Sequence, residues 1–306
     1  MSLRVREPGL LSLLVDFGRP RCRHLGVPLG GAADRAALAL GNALVGNSPD
    51  AVAVEMTLAG PVLEALHPTA CVVFGSAFEP ATGRRDLAAG TTFTLETGEV
   101  LRVGGTRSGA RGYLCVAGGF DVPEVLGSRS ALEPLRAGDV LTCRASRTES
   151  RSLQLPPVAH APGSPVALRV LDGPQRDWFP DDAFFRQDYE VSPASNRMGV
   201  RFKGPPLSRR SGELVSEAVA PGVVQVTNDG LPVVLGVDGQ TIGGYPKVAH
   251  VIRADLDRLA QLRPGDRVRF ARVTSAEAEG AAKDRATWLA GWLTRLRIAE
   301  RAPAFA

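Results

Sequence analysis

Lysine is nearly absent from this chain: of its 36 basic residues only Lys203, Lys247 and Lys283 are not arginine. Aromatic residues are sparse too, at 6%. The arginines are scattered among 32 acids, and no basic run interleaves with aromatics, which argues against a nucleic-acid face and leaves anion handling as the use of the excess. Cysteine is limited to Cys22, Cys71, Cys115 and Cys143. They lie too far apart for the paired spacing of a zinc site and are too few for a disulfide scaffold, so they read as free thiols of a reducing cytosol, and no metal site is expected. Long apolar runs are missing as well. Leu10 to Val15 is too short to span a membrane and runs into Asp16 and Arg19 where a signal peptide would need a small-residue cleavage site. It is expected to be the first strand of a cytoplasmic fold with no membrane partner. The phosphate loop Gly-x-x-x-x-Gly-Lys-Ser/Thr does not occur, which puts any ATP site on another chain.

What is present is a dense series of short apolar runs broken by glycine or proline. The 306 residues are 44% hydrophobic and 22% charged, a globular composition at a length that favours about two domains. Ala51 to Leu58, Ala70 to Phe74, Thr91 to Leu95, Val100 to Val103, Tyr113 to Val116 and Val140 to Cys143 are continuous or alternating runs of strand length. The same texture returns in Val166 to Leu171, Val223 to Val226, Pro232 to Val237, Ala249 to Arg253 and Arg267 to Val273. Runs of this kind predict a mainly all-β protein in two halves, 1–150 and 166–272, with a junction over 145–165 marked by Pro156, Pro157, Pro162 and Pro165. Short internal matches point to duplication, among them Leu58-Ala-Gly-Pro-Val-Leu63 beside Phe202-Lys-Gly-Pro-Pro-Leu207.

Two helices interrupt the strands. Asp34 to Val45 carries an apolar face with Asp34 as N-cap and Gly46-Asn47 as stop. Within 273–306, Ser275 to Ile298 places Trp288, Leu289, Trp292, Leu293 and Leu296 at helical spacing, a stripe expected to pack into the core.

Polar residues in glycine-rich surroundings are the candidate site. Arg197 and Arg201 stand four apart, and their planar forks suit a carboxylate or phosphate, or brace a loop. Gln225, Asp238, Gln240, Thr241 and Tyr245 offer donors and acceptors where Gly239, Gly243 and Gly244 let backbone approach a ligand. His24 has Arg23 and Asp34 for company and would serve near neutral pH as acid or base, or as a hydrogen-bonded structural group. His67, His160 and His250 look incidental. Glu55 and Glu217 sit among apolar or small residues and are expected to support the fold by pairing with arginines such as Arg35 or Arg107.

Four blocks carry a family resemblance: Asp16 to Arg35 with Ala39 to Asn47 and Glu55 to Pro61; Arg107 to Ser130; Ser195 to Pro206; and Ser216 to Gln225 with Asp238-Gly-Gln-Thr-Ile-Gly-Gly-Tyr-Pro-Lys247 and Leu262 to Asp266. The chain resembles the family of the 5-oxoprolinase C subunit and allophanate hydrolase subunit 2, related to urea carboxylase. Resemblance implies two tandem cyclophilin-like β-barrels, a B subunit (allophanate hydrolase subunit 1-like) and an A subunit as partners, and a small amide substrate opened in an ATP-dependent complex. Read from their own chemistry, His24, Asp238 and Tyr245 are expected as catalytic residues, and Arg197, Arg201, Gln225, Gln240, Thr241, Gly243 and Gly244 as substrate-binding ones. Some relatives are carboxyltransferase parts of biotin-dependent carboxylases, and some are regulatory antagonists of a kinase inhibitor that corresponds to the B chain. Biotin would sit on another chain, since no Met-Lys-Met acceptor occurs here. The pattern departs from the family at Asn196, at Thr227-Asn228 and at Ile242.

Overall fold

The computed structural model describes residues 2–154 and 164–301; the proline cluster from Pro156 to Pro162 and His160 lie outside the described residues. The chain divides into two compact units. The first takes the described residues up to Gly18, from Asp34 to 154, and from Trp288 on. The second takes Arg19–Ala33 and the residues from 164 to Thr287.

Two five-stranded antiparallel sheets build the first unit. One runs in the order Val140–Thr142, Ser2–Glu7, Val62–Ala65, Val100–Thr106, Phe78–Thr82, and the other in the order Ser12–Val15, Ala53–Thr57, Arg111–Val116, Thr69–Gly75, Phe93–Leu95. Leu3, Val5, Leu63 and Leu101 from the first sheet meet Met56, Val73 and Leu114 from the second in one buried cluster, the alternation a two-sheet core requires. The first strand is Ser2–Glu7, ahead of the apolar run expected to open the fold. Its buried Leu3 and Val5 alternate with exposed Arg4 and Arg6, and the charges mask a strand that is apolar on one face only.

Helix Arg35–Leu44 begins where Asp34 accepts a hydrogen bond from the Ala37 N–H at 2.9 Å, a side-chain cap for an otherwise unpaired donor. A Cβ at Gly41 would fall 2.9 Å from Cys115 Sγ and 3.0 Å from the Cβ of Phe74. Glycine there lets the helix lie close against strands Arg111–Val116 and Thr69–Gly75. All six residues of Arg111–Val116 are buried, because core covers one face and this helix the other.

The second unit closes seven strands into a barrel in the order Val166–Asp172, Lys247–Val251, Val223–Val226, Pro232–Leu235, Gly199–Lys203, Tyr189–Val191, Arg267–Arg272. The last strand returns parallel to the first, which removes both sheet edges. Phe184, Tyr189, Phe202 and Phe270 cluster in its core, with Phe184 and Phe270 stacked at 4.5 Å between centroids. Outside the barrel, Glu217–Ala218 pairs with Ile242–Gly243 as a separate two-stranded ribbon.

Helix Ser275–Arg301 starts from a capping box, with Glu277 accepting from the Thr274 N–H at 2.7 Å and from its hydroxyl at 2.8 Å. Trp288, Leu289, Trp292, Leu293 and Leu296 are half-buried, short of the core burial expected for them. A helix with exposed charges on most of its turns has too little facing surface to cover that stripe completely.

Candidate functional site

Every candidate from the second half lies in the second unit. Arg197 sits in the tight turn that joins Asn196 to Gly199, where Asn196 Oδ1 accepts from the Met198 and Gly199 N–H groups at 2.9 and 3.3 Å. An aspartate would make the same bonds, so the turn survives the departure at Asn196. Buried to 8% exposure, Arg197 presents its guanidinium edge to Asp238, with Nε to Oδ2 at 2.7 Å and Nη2 to Oδ1 at 2.9 Å. Nη2 also donates to the Gly31 carbonyl at 2.8 Å. The fork is engaged by the protein itself and ties the 197 turn to the 238 turn and to the 30–31 segment. The Gly30 N–H adds a bond to the Val237 carbonyl at 2.8 Å. Arg201 lies two residues into the next strand and is exposed, so Arg197 and Arg201 do not form a joint clamp here. His24 is exposed in the one-turn 3-10 segment Arg23–Leu25.

The Gln-Thr-Ile-Gly-Gly-Tyr-Pro-Lys stretch forms the ribbon and its return to the barrel. Thr241 accepts from the Val219 N–H through its carbonyl at 2.9 Å. Ile242 is 60% exposed, so a second threonine there would place its hydroxyl in water. Gln225 is buried at 2% exposure and accepts from Gln240 Nε2 at 3.4 Å. Its own Nε2 has no hydrogen-bond partner. A Cβ at Gly243 would fall 2.4 Å from that nitrogen, which explains the glycine.

Glu217 takes a lysine where an arginine was expected. Lys247 Nζ donates to Glu217 Oε1 at 2.6 Å, and Gln175 Nε2 donates to the same oxygen at 2.8 Å. The Lys247 hydrogen bond, with help from Gln175, holds the Glu217 carboxyl below the usual carboxylate range. Lys247 is 3% exposed and Gln175 8%, and neither stood among the sequence candidates. The signal for Lys247 was its rarity, one of three lysines, at the end of the family's most specific motif. Gln175 carried no signal. Glu55, in the first unit, accepts from the Tyr113 hydroxyl at 2.8 Å and lies 3.4 Å from Arg111 Nε, while Arg107 pairs with Glu79 at the surface.

Tyr245, 40% exposed, lines a recess of about 420 Å³ with Trp178, Arg209, Leu214, Asn228 and Gly244. Arg209 donates to Asn228 Oδ1 at 3.0 Å, so the Thr227-Asn228 departure shapes this recess. Aromatic walls with a few polar groups suit a small amphiphilic molecule. A larger hollow of about 650 Å³ in the first unit mixes Arg84 and Arg85 with Glu96 and Glu99, and its charges offset one another. Among the described residues no group of three or more His, Cys, Asp or Glu could hold a metal ion, and no helix is long and apolar enough to cross a membrane.

The model of the carboxyltransferase domain, subdomains A and B, matches residues 25–272. The 5-oxoprolinase C subunit of Escherichia coli (strain K12) is 35% identical over 301 residues, 92% of this chain and 94% of that protein. The crystal structure of TTHA0988 is 36% identical with a TM-score of 0.80, over 88% of this chain. Urea amidolyase of Kluyveromyces lactis superposes with a TM-score of 0.87 at 28% identity, over 95% of this chain. The chain spans 55% of the length of TTHA0988 and 20% of that of the urea amidolyase.

Proposed function

The chain belongs to the carboxyltransferase-domain family, subdomains A and B, and from that premise we propose that it is the C subunit of a 5-oxoprolinase. The observation that carries the reading is the likeness to the Escherichia coli protein along nearly the full length of both chains. On this reading it works in the cytoplasm with A and B subunits, and ATP is spent by the complex at another chain. It helps to open the lactam of 5-oxoproline to glutamate.

That substrate presents an anion, a lactam N–H and a poorly electrophilic carbonyl, so its site must hold the ring and donate to the carbonyl oxygen. We assign the holding surface to the second unit. Tyr245 and Trp178 wall the recess, and Gly243 and Gly244 let backbone come close. Gln225, Gln240 and Thr241 supply polar groups on and behind the ribbon strand that runs into Gly244 and Tyr245. The Arg197–Asp238 fork keeps the 197 and 238 turns in register, which makes both of them positioning residues in this scheme. His24, exposed to solvent, is the candidate for proton transfer at the surface, and Arg201 for attraction of the anion. Co-expression with matching A and B subunits should yield ATP-dependent glutamate release from 5-oxoproline; a correctly assembled complex that releases none rejects the assignment.

The superposition on Kluyveromyces lactis urea amidolyase favours a second reading, the carboxyltransferase component of a biotin-dependent urea or amide carboxylase. Bicarbonate-dependent turnover with a biotinylated carrier protein would establish it in place of the first.

A further inference from the structure

The Gly243 end of the ribbon has more buried donors than acceptors. Lys247 Nζ carries three N–H bonds and gives two of them, to Glu217 Oε1 at 2.6 Å and to the Gly243 carbonyl at 3.3 Å. Gln225 Nε2 carries two more and gives neither. Gln225 and Lys247 are register partners on adjacent antiparallel strands, so their side chains leave the barrel wall on the same face. Both come up to Gly243: a Cβ there would fall 2.4 Å from Gln225 Nε2, and its carbonyl accepts from Lys247 Nζ. A buried donor with no acceptor is unfavourable, and few persist in a folded protein.

The ribbon above them is separate from the barrel sheet. One tie to the barrel is the Lys247 ammonium, shared between the half-exposed Glu217 carboxylate and Gly243. At 3.3 Å the Gly243 bond is the weaker of its two, and it is the one an incoming oxygen would replace. The charge balance selects that oxygen: Glu217 already neutralises Lys247, and Gln225 is neutral. A second carboxylate would itself be an anion with no cation left to neutralise it, whereas an amide carbonyl adds an acceptor without a charge.

We infer that Lys247 and Gln225 are joint donors to a neutral amide carbonyl, of the lactam or urea class, which enters as the Ile242–Gly243 ribbon lifts and displaces the Gly243 carbonyl. This adds Lys247 to the substrate-binding residues and rests on the reading of this face as the substrate site.

The test uses the full chain and follows the side-chain amide resonance of Gln225 by nitrogen-15 NMR with three probes: 2-pyrrolidinone, urea and acetate. The resonance is expected to shift in a saturable way with either amide and not with acetate. Lys247→Met and Gln225→Leu should each weaken amide binding at least tenfold, read by calorimetry, with Lys203→Met unchanged. Gln225→Leu should also keep or raise Tm, since it removes a donor that has no acceptor; a purely structural hydrogen-bonding role would lower Tm. Should Lys247→Met fail to fold, Gln225→Leu decides alone. Absence of a shift with every probe, unchanged affinity in the folded variants, or a lowered Tm for Gln225→Leu overturns the inference. Amide binding without glutamate release from the assembled complex keeps this site and rejects the oxoprolinase reading. Normal glutamate release by a folded Lys247→Met complex does the reverse.

Discussion

In the first unit Asp16 collects four donors, the hydroxyls of Ser128 and Ser130 at 2.6 Å each and the Gly18 and Arg129 N–H groups at 2.7 Å each. In the second, Gln225 is buried as deeply as a core valine and leaves both amide protons without a partner. The first unit also closes the chain from the Asp34 N–H to the Tyr113 hydroxyl and on to Glu55, and it seats Asn42 and Asn47 on backbone carbonyls. Polar groups buried this way order loops and a helix start and leave nothing over for a ligand. Around the ribbon of the second unit, Lys247 and Gln225 do leave something over. Burial alone does not separate a structural polar residue from a binding one; the balance of donors against acceptors around it does.

The hardest test of that contrast is Glu55→Ala. Glu55 is 1% exposed and serves both Tyr113 and Arg111, so removing it takes the counter-charge from beside a buried cation and the acceptor from a buried hydroxyl. Breaking such a pair from one side costs about 3–5 kcal/mol, and urea unfolding of the variant should read a loss of that size. Burial and the adjacent Glu55 and Asp34 push the Tyr113 hydroxyl well above its ordinary pKa, so it stays a donor across the working range and its bond to Glu55 is not lost on mild alkalinisation. A milder cost is expected from Arg197→Met. Arg197 is buried, but the Asp238 side chain is 35% exposed and can turn to water when its partner goes. Charge-assisted hydrogen bonds are worth about 1.5–3 kcal/mol, and half-exposure puts the expected loss at the lower end of that range. If Arg197→Met proved as damaging as Glu55→Ala, the two units would be using buried charge in the same way and the contrast would fail.

Much of this architecture was legible in the sequence, for reasons that differ from element to element. Helix Arg35–Leu44 announces itself because the Asp34 cap and the apolar face are local signals. The strands around Cys71, Tyr113, Val224 and Val268 are legible as apolar runs because barrel and two-sheet cores bury them deeply. Ser2–Glu7 was hidden by charges on its outer face. The family blocks singled out the Gln-Thr-Ile-Gly-Gly-Tyr-Pro stretch, which forms one strand of the ribbon and, through Gly244, Tyr245 and Pro246, one wall of the recess. Pairings were another matter. Arg197 meets Asp238 across 41 residues and Lys247 meets Glu217 across 30, whereas arginines such as Arg35 or Arg107 had been expected for Glu55 and Glu217. Gln175, which shares Glu217 with Lys247, is brought there by barrel closure, and nothing short of the closed topology reveals that.

The smallest expected effect sharpens the comparison with acid. Burial pushes the His250 imidazole below its ordinary value of 6.5, against the opposing pull of the Pro221 carbonyl. That carbonyl lies 3.1 Å from Nε2 and can only accept, so Nε2 carries the proton of the neutral ring. A lowered folded value means that the unfolded chain takes up a proton first. The His250 contribution is therefore complete above about pH 6.5 and is lost as pH falls through the folded value. Asp16 works lower on the scale. Burial raises its carboxyl, but the two serine hydroxyls and the two N–H groups more than compensate and leave it below 3.8, so its contribution persists until the pH drops past the ordinary carboxylate range. Between pH 7.5 and 5.5 the second unit should loosen while the first does not. Hydrogen exchange corrected for intrinsic rate should rise about threefold in Val223–Val226 and Lys247–Val251 and stay level in Ser12–Val15 and Arg111–Val116. His250→Gln, which keeps a donor for the Pro221 carbonyl and cannot titrate, should abolish the rise. An equal rise in both units would mean that the acid-sensitive group is not His250 and that the two halves do not open independently.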